Sequence, residues 1–260
     1  MISINQSKST AVMTDKSNQP SVVETVVNTI MGVRTEDAQQ PTVEGSRVDW
    51  SASITYIVGT LVQIGFMLLS LWGLQQISQS VSGNVSVGIA ISFFTLVAIR
   101  SRLFSPLNNA RTRTTYSRVE RPSWAPPPLA FPIIWMSIGV LRVVASYLVW
   151  QALGQTYFSW PLAILMIHLS LGDTWNTIFT VEGRLGAAVP VVLVGPLASS
   201  IVVAVTYWQV VPLAGQLLLP MIVWLGIAST LVVSIWQLNG TEPWYPLKLE
   251  KMKIQSDNDR

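Results

Sequence analysis

Two long stretches without a charged side chain constrain this chain more than any other feature. No Asp, Glu, Lys or Arg occurs between Ile54 and Ile99, and none occurs between Arg184 and Glu242. A helix of about 20 apolar residues is long enough to cross the hydrocarbon core of a bilayer. Charged residues make up only 11% of the chain, against about 25% in soluble domains. The sequence therefore predicts an integral membrane protein.

Six apolar segments follow the polar residues 1–50. Each segment is long enough to cross a core of about 30 Å at about 1.5 Å per residue. The predicted fold class is an all-α membrane protein, a bundle of six transmembrane helices surrounded by lipid. The predicted spans are 52–77, 86–104, 127–151, 160–181, 186–208 and 212–238.

The connections between these segments alternate between charged and uncharged. The second connection, 105–126, carries four arginines, the fourth carries Glu182 and Arg184, and the C-terminal tail carries three lysines. Because basic connections stay on the cytosolic side of membranes, this alternation predicts an even number of spans. Both termini and the 105–126 loop are then predicted to lie on the positive, cytosol-like side. The uncharged connections are 78–85, 152–159 and 209–211.

Aromatic residues cluster near the ends of the segments. Tryptophan and tyrosine rings favour the headgroup layer of a bilayer. We therefore interpret these rings mostly as interface anchors: Trp50, Trp150, Trp160, Tyr207, Trp208, Trp244 and Tyr245.

The polar N-terminal region is predicted to be largely disordered, with one short exception. Ser21 and Glu24 form a capping box, and valines and isoleucine follow at helical spacing. This pattern predicts an amphipathic helix near 21–33 that lies on the membrane surface or on a partner.

Several classes of site are excluded by the residues available. The chain has no cysteine, which excludes disulfides, cysteine-ligated metals and thiol nucleophiles. The only histidine, His168, lies five residues before Asp173, so the two side chains point in different directions on a helix. No phosphate-binding or metalloprotease motif is present. We predict no catalytic site and no metal site, and the basic loop lacks the interleaved aromatics of a nucleic-acid surface.

Three ionisable residues fall inside predicted spans: Arg142, His168 and Asp173. Charge is expensive to bury in a bilayer, so each must face a cavity, a partner or the bundle interior. Counted from the charged side, Arg142 and His168 lie at similar depths of about 22 Å and about 20 Å. Two alternatives follow: Arg142 pairs with Asp173, or Arg142 meets an anionic group of a ligand deep in the bundle.

Two stripes of aromatic and small residues lie on neighbouring spans. The first, Phe131, Trp135, Gly139, Arg142 and Ser146, follows one face of a helix. The second contains His168, Gly172, Trp175 and Phe179. Such stripes either pack against each other or line a pocket for a flat, largely apolar ligand with an acidic group.

Three strings rich in proline and tryptophan recur in order along the chain. RPSWAPP at 121–127 leads to Phe131 and Trp135, LSLGDTW spans 169–175, and VPLAGQLLLP at 211–220 precedes Trp224 and IWQLN at 235–239. Together they resemble the TspO/MBR family of tryptophan-rich sensory and translocator proteins over about 86–240.

The resemblance implies a five-helix bundle around a ligand pocket that opens toward one side. The segment 51–85 is then an extra transmembrane helix, 86–240 is the family-like bundle, and 1–50 and 241–260 are polar tails. By resemblance Trp135, Trp175 and Trp236 belong to the pocket, and Trp124 lies on the loop that covers it. The family's usual helix-two Met is Arg142 here, and a helix-three Gln is His168.

The function implied by the resemblance is tetrapyrrole binding, of a porphyrin or haem-like molecule, by a membrane sensor or carrier that requires no cofactor. Arg142 would face the ligand carboxylates and His168 would lie near a tetrapyrrole metal. The alternatives are a structural or assembly subunit of a larger membrane complex, a translocator for sterols or lipids, and a membrane enzyme that acts on porphyrin or lipid. A homodimer is also implied. The predicted ligand-binding residues are Trp124, Phe131, Trp135, Arg142, His168, Trp175 and Trp236.

Overall fold

The computed structural model describes residues 42–78, 83–107 and 119–251. The predicted amphipathic helix near 21–33 and the middle of the basic 105–126 loop lie outside the described residues, as does the end of the C-terminal tail.

Six helices form the described bundle, and their first and last residues lie close to the predicted ones. The last turn of α2 is a 3-10 helix, the last turns of α4 are π-helical, and α5 contains a π-helical segment. The helices are α1 Trp50–Ser78, α2 Asn84–Phe104, α3 Ala130–Ala152, α4 Trp160–Asn176 with its continuation Thr177–Val181, α5 Leu185–Val210 and α6 Pro212–Leu238.

Five of these helices are long and apolar enough to cross a membrane, and α4 is the exception. His168, Asp173 and Asn176 lower the hydropathy of α4. More than half of the residues in Trp160–Asn176 are buried, so α4, the most polar helix, is enclosed by the others. By contrast α1 exposes a row of large apolar side chains suited to lipid contact, among them Ile54, Ile57, Leu61, Leu69 and Trp72.

The two ends of the described chain meet in a small sheet that the sequence did not predict. Strand β1, Thr42–Val48, pairs antiparallel with β2, Leu247–Lys251. The Asp49 N–H also donates to the Pro246 carbonyl at 2.8 Å. The chain therefore enters α1 and leaves α6 at the same end of the bundle.

The charged connections collect at this same end. The Glu120 N–H donates to the Asn239 side-chain oxygen at 2.9 Å, which ties the 105–126 loop to the end of α6. Arg184, between α4 and α5, pairs with Asp49 at 2.9 Å and with Glu182 at 2.9 Å. Residues 119–120, Arg184 and the two ends of the described chain thus lie at one end of the bundle.

Asp49 serves both as the start of α1 and as a partner for Arg184. Its Oδ1 atom accepts the Ala52 N–H at 3.0 Å, in the manner of a helix N-cap. Burial raises the pKa of Asp49, but the Ala52 hydrogen bond and the Arg184 cation outweigh that effect and hold the pKa below its ordinary value of 3.8. For Glu182, burial raises the pKa above its ordinary value, although hydrogen bonding from Tyr56 and the Arg184 cation oppose this.

We expect Asp49→Asn to lower the apparent Tm by a few degrees at neutral pH, because asparagine keeps the cap but loses the ion pair. A carboxyl with a lowered pKa contributes stability above its unfolded-state pKa, and the contribution is lost as the pH falls through the folded-state pKa. The difference in Tm between variant and parent should therefore begin to shrink below about pH 4 and disappear only below the folded-state pKa of Asp49. A difference that stays constant with pH would contradict an ionic role for Asp49.

Candidate functional site

Arg142 lies in the middle of α3 with only 8% of its surface exposed. Its Nε atom is buried and has no hydrogen-bond partner. No ion pair to Arg142 is found within residues 42–78, 83–107 and 119–251. Asp173, the carboxylate considered as its partner, instead accepts a hydrogen bond from Gln63 Nε2 at 2.8 Å. Of the two alternatives, the described structure lacks the direct Arg142–Asp173 pair.

A second buried polar side chain, His168, faces α5. Its Nδ1 atom lies 2.8 Å from Ser199 Oγ. The Ser199 hydroxyl donates its only proton to the Gly195 carbonyl, so we assign the Nδ1–H of His168 as the donor and Nε2 as the unprotonated nitrogen. His168 also lies within electrostatic range of Arg142.

Tyr207 on α5 completes the polar group around Arg142. Its hydroxyl lies 3.0 Å from Ser146 Oγ, and it is within electrostatic range of Arg142. The ring is fully buried, at 0% exposure, and so is Trp150. The interpretation of these two rings as interface anchors is wrong. Both lie near helix ends in sequence, but the helices enclose them.

The aromatic residues predicted for the pocket lie around two apolar clusters. Trp175 stacks on Phe179 with ring centroids 5.7 Å apart and planes 8° apart. Phe131 packs against both clusters and meets Trp224 edge-to-face at 5.5 Å. Trp175 Nε1 and Trp224 Nε1 are buried donors without a partner. The two rings therefore carry unused donors, as does Arg142.

Trp236 and Trp135 lie on different clusters. Trp236 packs against the cluster that contains Phe179, and its Nε1 donates to the Glu242 carbonyl at 2.7 Å. Trp135 packs against the larger cluster. The structure thus brings Trp175 and Trp236 to one cluster and Trp135 to the other, and Phe131 contacts both clusters.

Trp124 lies apart from these residues, on the loop before α3, and is 48% exposed. The same loop forms an open cleft of about 470 Å³. The cleft is lined by Val119, Arg121, Pro122, Ser123, Ala125 and Pro126–Pro128. Val119 and Ala125 also pack against the cluster that contains Trp175 and Trp236. The loop therefore contacts the candidate site at the charged end of the bundle.

Two residues at the site were missed by sequence reasoning. Trp224 was part of a recognised string but was not assigned to the pocket. Gln63 was missed because it lies on α1, outside the two stripes. A glutamine in the middle of a charge-free span was the available signal, since buried amides need partners.

The comparisons with known proteins agree on one family. The model of the TspO/MBR family matches residues 89–237. The translocator protein of Sus scrofa is 35% identical over 129 residues, which cover 48% of this chain and 74% of that protein. The translocator protein of Homo sapiens is 34% identical over 127 residues, with 48% and 74% covered. The tryptophan-rich sensory protein of Cereibacter sphaeroides is 30% identical over 131 residues, with 49% and 78% covered.

Proposed function

Since this chain belongs to the TspO/MBR family, we propose that it binds a tetrapyrrole within the bundle and acts as a membrane receptor or carrier for it. The ligand combines a flat apolar ring with acidic side groups. The aromatic rings of the site suit the flat apolar ring of the ligand, and the buried cation suits its acidic groups.

The observation that carries this proposal is the unpaired guanidinium of Arg142. A buried cation without a counter-ion is costly, and such groups in membrane helices mark ligand or ion sites. A ligand carboxylate would supply the missing charge and accept hydrogen bonds in the fork geometry of arginine. The unused indole donors of Trp175 and Trp224 support a ligand with several acceptors.

The neutral imidazole of His168 supports the same ligand class. Its Nε2 carries the lone pair that would bind the metal of a metallated tetrapyrrole, while Ser199 fixes the ring through Nδ1. Haem and metal-free porphyrin are therefore both expected to bind, and His168 would distinguish them.

The binding test is a titration of the purified protein with protoporphyrin IX in the dark, followed by tryptophan fluorescence. We expect saturable quenching with a micromolar Kd. Loss of the Trp175 ring in Trp175→Leu should weaken binding about threefold to tenfold, because a stacked aromatic pair contributes about 0.5–1.5 kcal/mol.

The matched control is Trp208→Leu, which removes an indole that is 45% exposed on the outer face of α5. It should leave the Kd unchanged. Quenching that rises linearly without saturation, as for porphyrin that partitions into empty nanodiscs, would contradict the proposal. Equal weakening by both substitutions would contradict a role for Trp175.

A further inference from the structure

The extra helix α1 begins before the family-matched region, yet it is joined to α4 by buried polar contacts. Thr60 and Thr174 share a hydrogen bond between their hydroxyls. One turn further along, Gln63 Nε2 lies 2.8 Å from Asp173 Oδ2 and 3.1 Å from the Ser101 carbonyl. Gln63 is fully buried. These contacts make α1 a structural part of the bundle interior.

The orientation of the Gln63 amide is fixed by its partners. Both Asp173 Oδ2 and the Ser101 carbonyl are acceptors, so the NH₂ group must point at them. Gln63 Oε1 is thereby left buried without a partner. Leaving an amide oxygen unsatisfied costs free energy. The hydrogen bonds that the NH₂ group donates to Asp173 and to the Ser101 carbonyl offset this cost.

Asp173 is the only carboxylate in the six helices. It lies within electrostatic range of Arg102 as well as of Arg142. Arg102 Nη2 donates to Thr177 Oγ1 at 3.0 Å, one turn after Asp173. Partners on α1 and at the end of α2 thus surround the carboxylate. His168, on another side of α4, bonds to α5 instead.

This arrangement separates the one acid of the interior from the cation of the candidate site. We propose that Gln63 is a positioning residue: together with the partners at the end of α2, it holds Asp173 on the α1 side of α4. It thereby prevents an Arg142–Asp173 ion pair and keeps the guanidinium available to an anionic ligand. The inference rests on the proposed function and assigns the ligand selectivity of that site partly to the extra helix.

The test in the full chain is the affinity of Gln63→Leu for two probes, protoporphyrin IX and its uncharged dimethyl ester. Without the Gln63 donor, Asp173 keeps its neighbours at the end of α2 but is held less firmly on the α1 side and can turn toward Arg142. The affinity for the acid should then fall about tenfold or more, as expected for a charged hydrogen bond. The affinity for the ester should stay the same. Adding Asp173→Asn to Gln63→Leu should restore the acid affinity.

Thr60→Val is the matched control, because it removes the neighbouring hydroxyl contact to Thr174 and leaves Asp173 alone. Its acid-to-ester ratio should equal that of the parent. A parent-like ratio in Gln63→Leu, or equal losses for acid and ester, would overturn the proposal. If the leucine variant does not insert, Gln63→Met gives the same comparison, since methionine fills a similar volume and donates no hydrogen bond.

A second measurement needs no ligand. Thermal unfolding is compared for Arg142→Gln, Asp173→Asn and the double variant, in the parent and in the Gln63→Leu background. The effects should be nearly additive in the parent and strongly coupled without Gln63, because the ion pair then forms. Absence of new coupling overturns the positioning role. A parent that binds neither porphyrin contradicts only the proposed function.

Discussion

Gly186→Ala is expected to destabilise the protein by about 3 kcal/mol, or roughly 6–12 °C in apparent Tm. Gly186 lies in the first turn of α5, where the segment after α6 crosses it. A methyl group there would overlap the backbone carbonyl oxygens of Glu242 and Pro243. Backbone at a packed crossing cannot rotate away as a flexible side chain can.

The same substitution would disturb a helix cap. The Gly186 N–H donates to the Glu242 carboxylate, which places a negative charge at the N-terminus of α5. The Glu242 carbonyl also accepts from Trp236, so displacing this segment would disturb a candidate pocket residue.

The measurement is thermal unfolding in detergent, with Gly226→Ala in α6 as the control. A methyl group at Gly226 meets nothing within 4 Å. Alanine should therefore be neutral or slightly stabilising there, by up to about 1 kcal/mol of helix propensity. Similar Tm values for the two variants would show that the segment 240–246 does not press on α5.

Replacing Arg142 with leucine is expected to raise the Tm of the ligand-free protein while it removes tight binding of the acidic porphyrin. The guanidinium is buried among helices with no ion pair in the described part of the chain. Exchange even of a buried ion pair for apolar residues of similar volume is often stabilising by about 1–4 kcal/mol, and an unpaired charge lacks the compensating attraction of a pair. Binding should weaken at least tenfold, since a charged hydrogen bond is worth about 1.5–3 kcal/mol.

A substitution that stabilises the protein but weakens ligand binding is typical of a residue retained for function. Arg100→Leu serves as the control, because Arg100 is an exposed arginine at the charged end of α2. It should change neither quantity appreciably. A fall in Tm of Arg142→Leu by the equivalent of about 3–5 kcal/mol would instead indicate a broken buried pair.

The helices were predictable because burial in lipid is a property of composition alone. Long uncharged segments determined α1, α5 and α6, and the basic connections determined which ends lie together. The β1–β2 sheet was not predictable in this way. Thr42–Val48 pairs with Leu247–Lys251 across almost the whole chain, and neither segment carries a local signal for the other.

The candidate site was predictable in its residues but less so in its partners. The position of Arg142 and His168 inside spans was enough to predict burial. The hydrogen-bond partner of Asp173 depends on which helix packs beside α4, and the sequence does not indicate which helix that is. Tyr207 shows the same limit, since an aromatic ring near a helix end has the same sequence signature in the headgroup layer and in the core.

The most direct test of the account is the ratio of affinities for protoporphyrin IX and its dimethyl ester, measured with the parent and with Arg142→Gln. The parent should prefer the acid by about tenfold or more, and Arg142→Gln should show no preference, because only the cation distinguishes carboxylate from ester. An undiminished preference for the acid in Arg142→Gln would contradict the claim that the buried guanidinium binds the ligand.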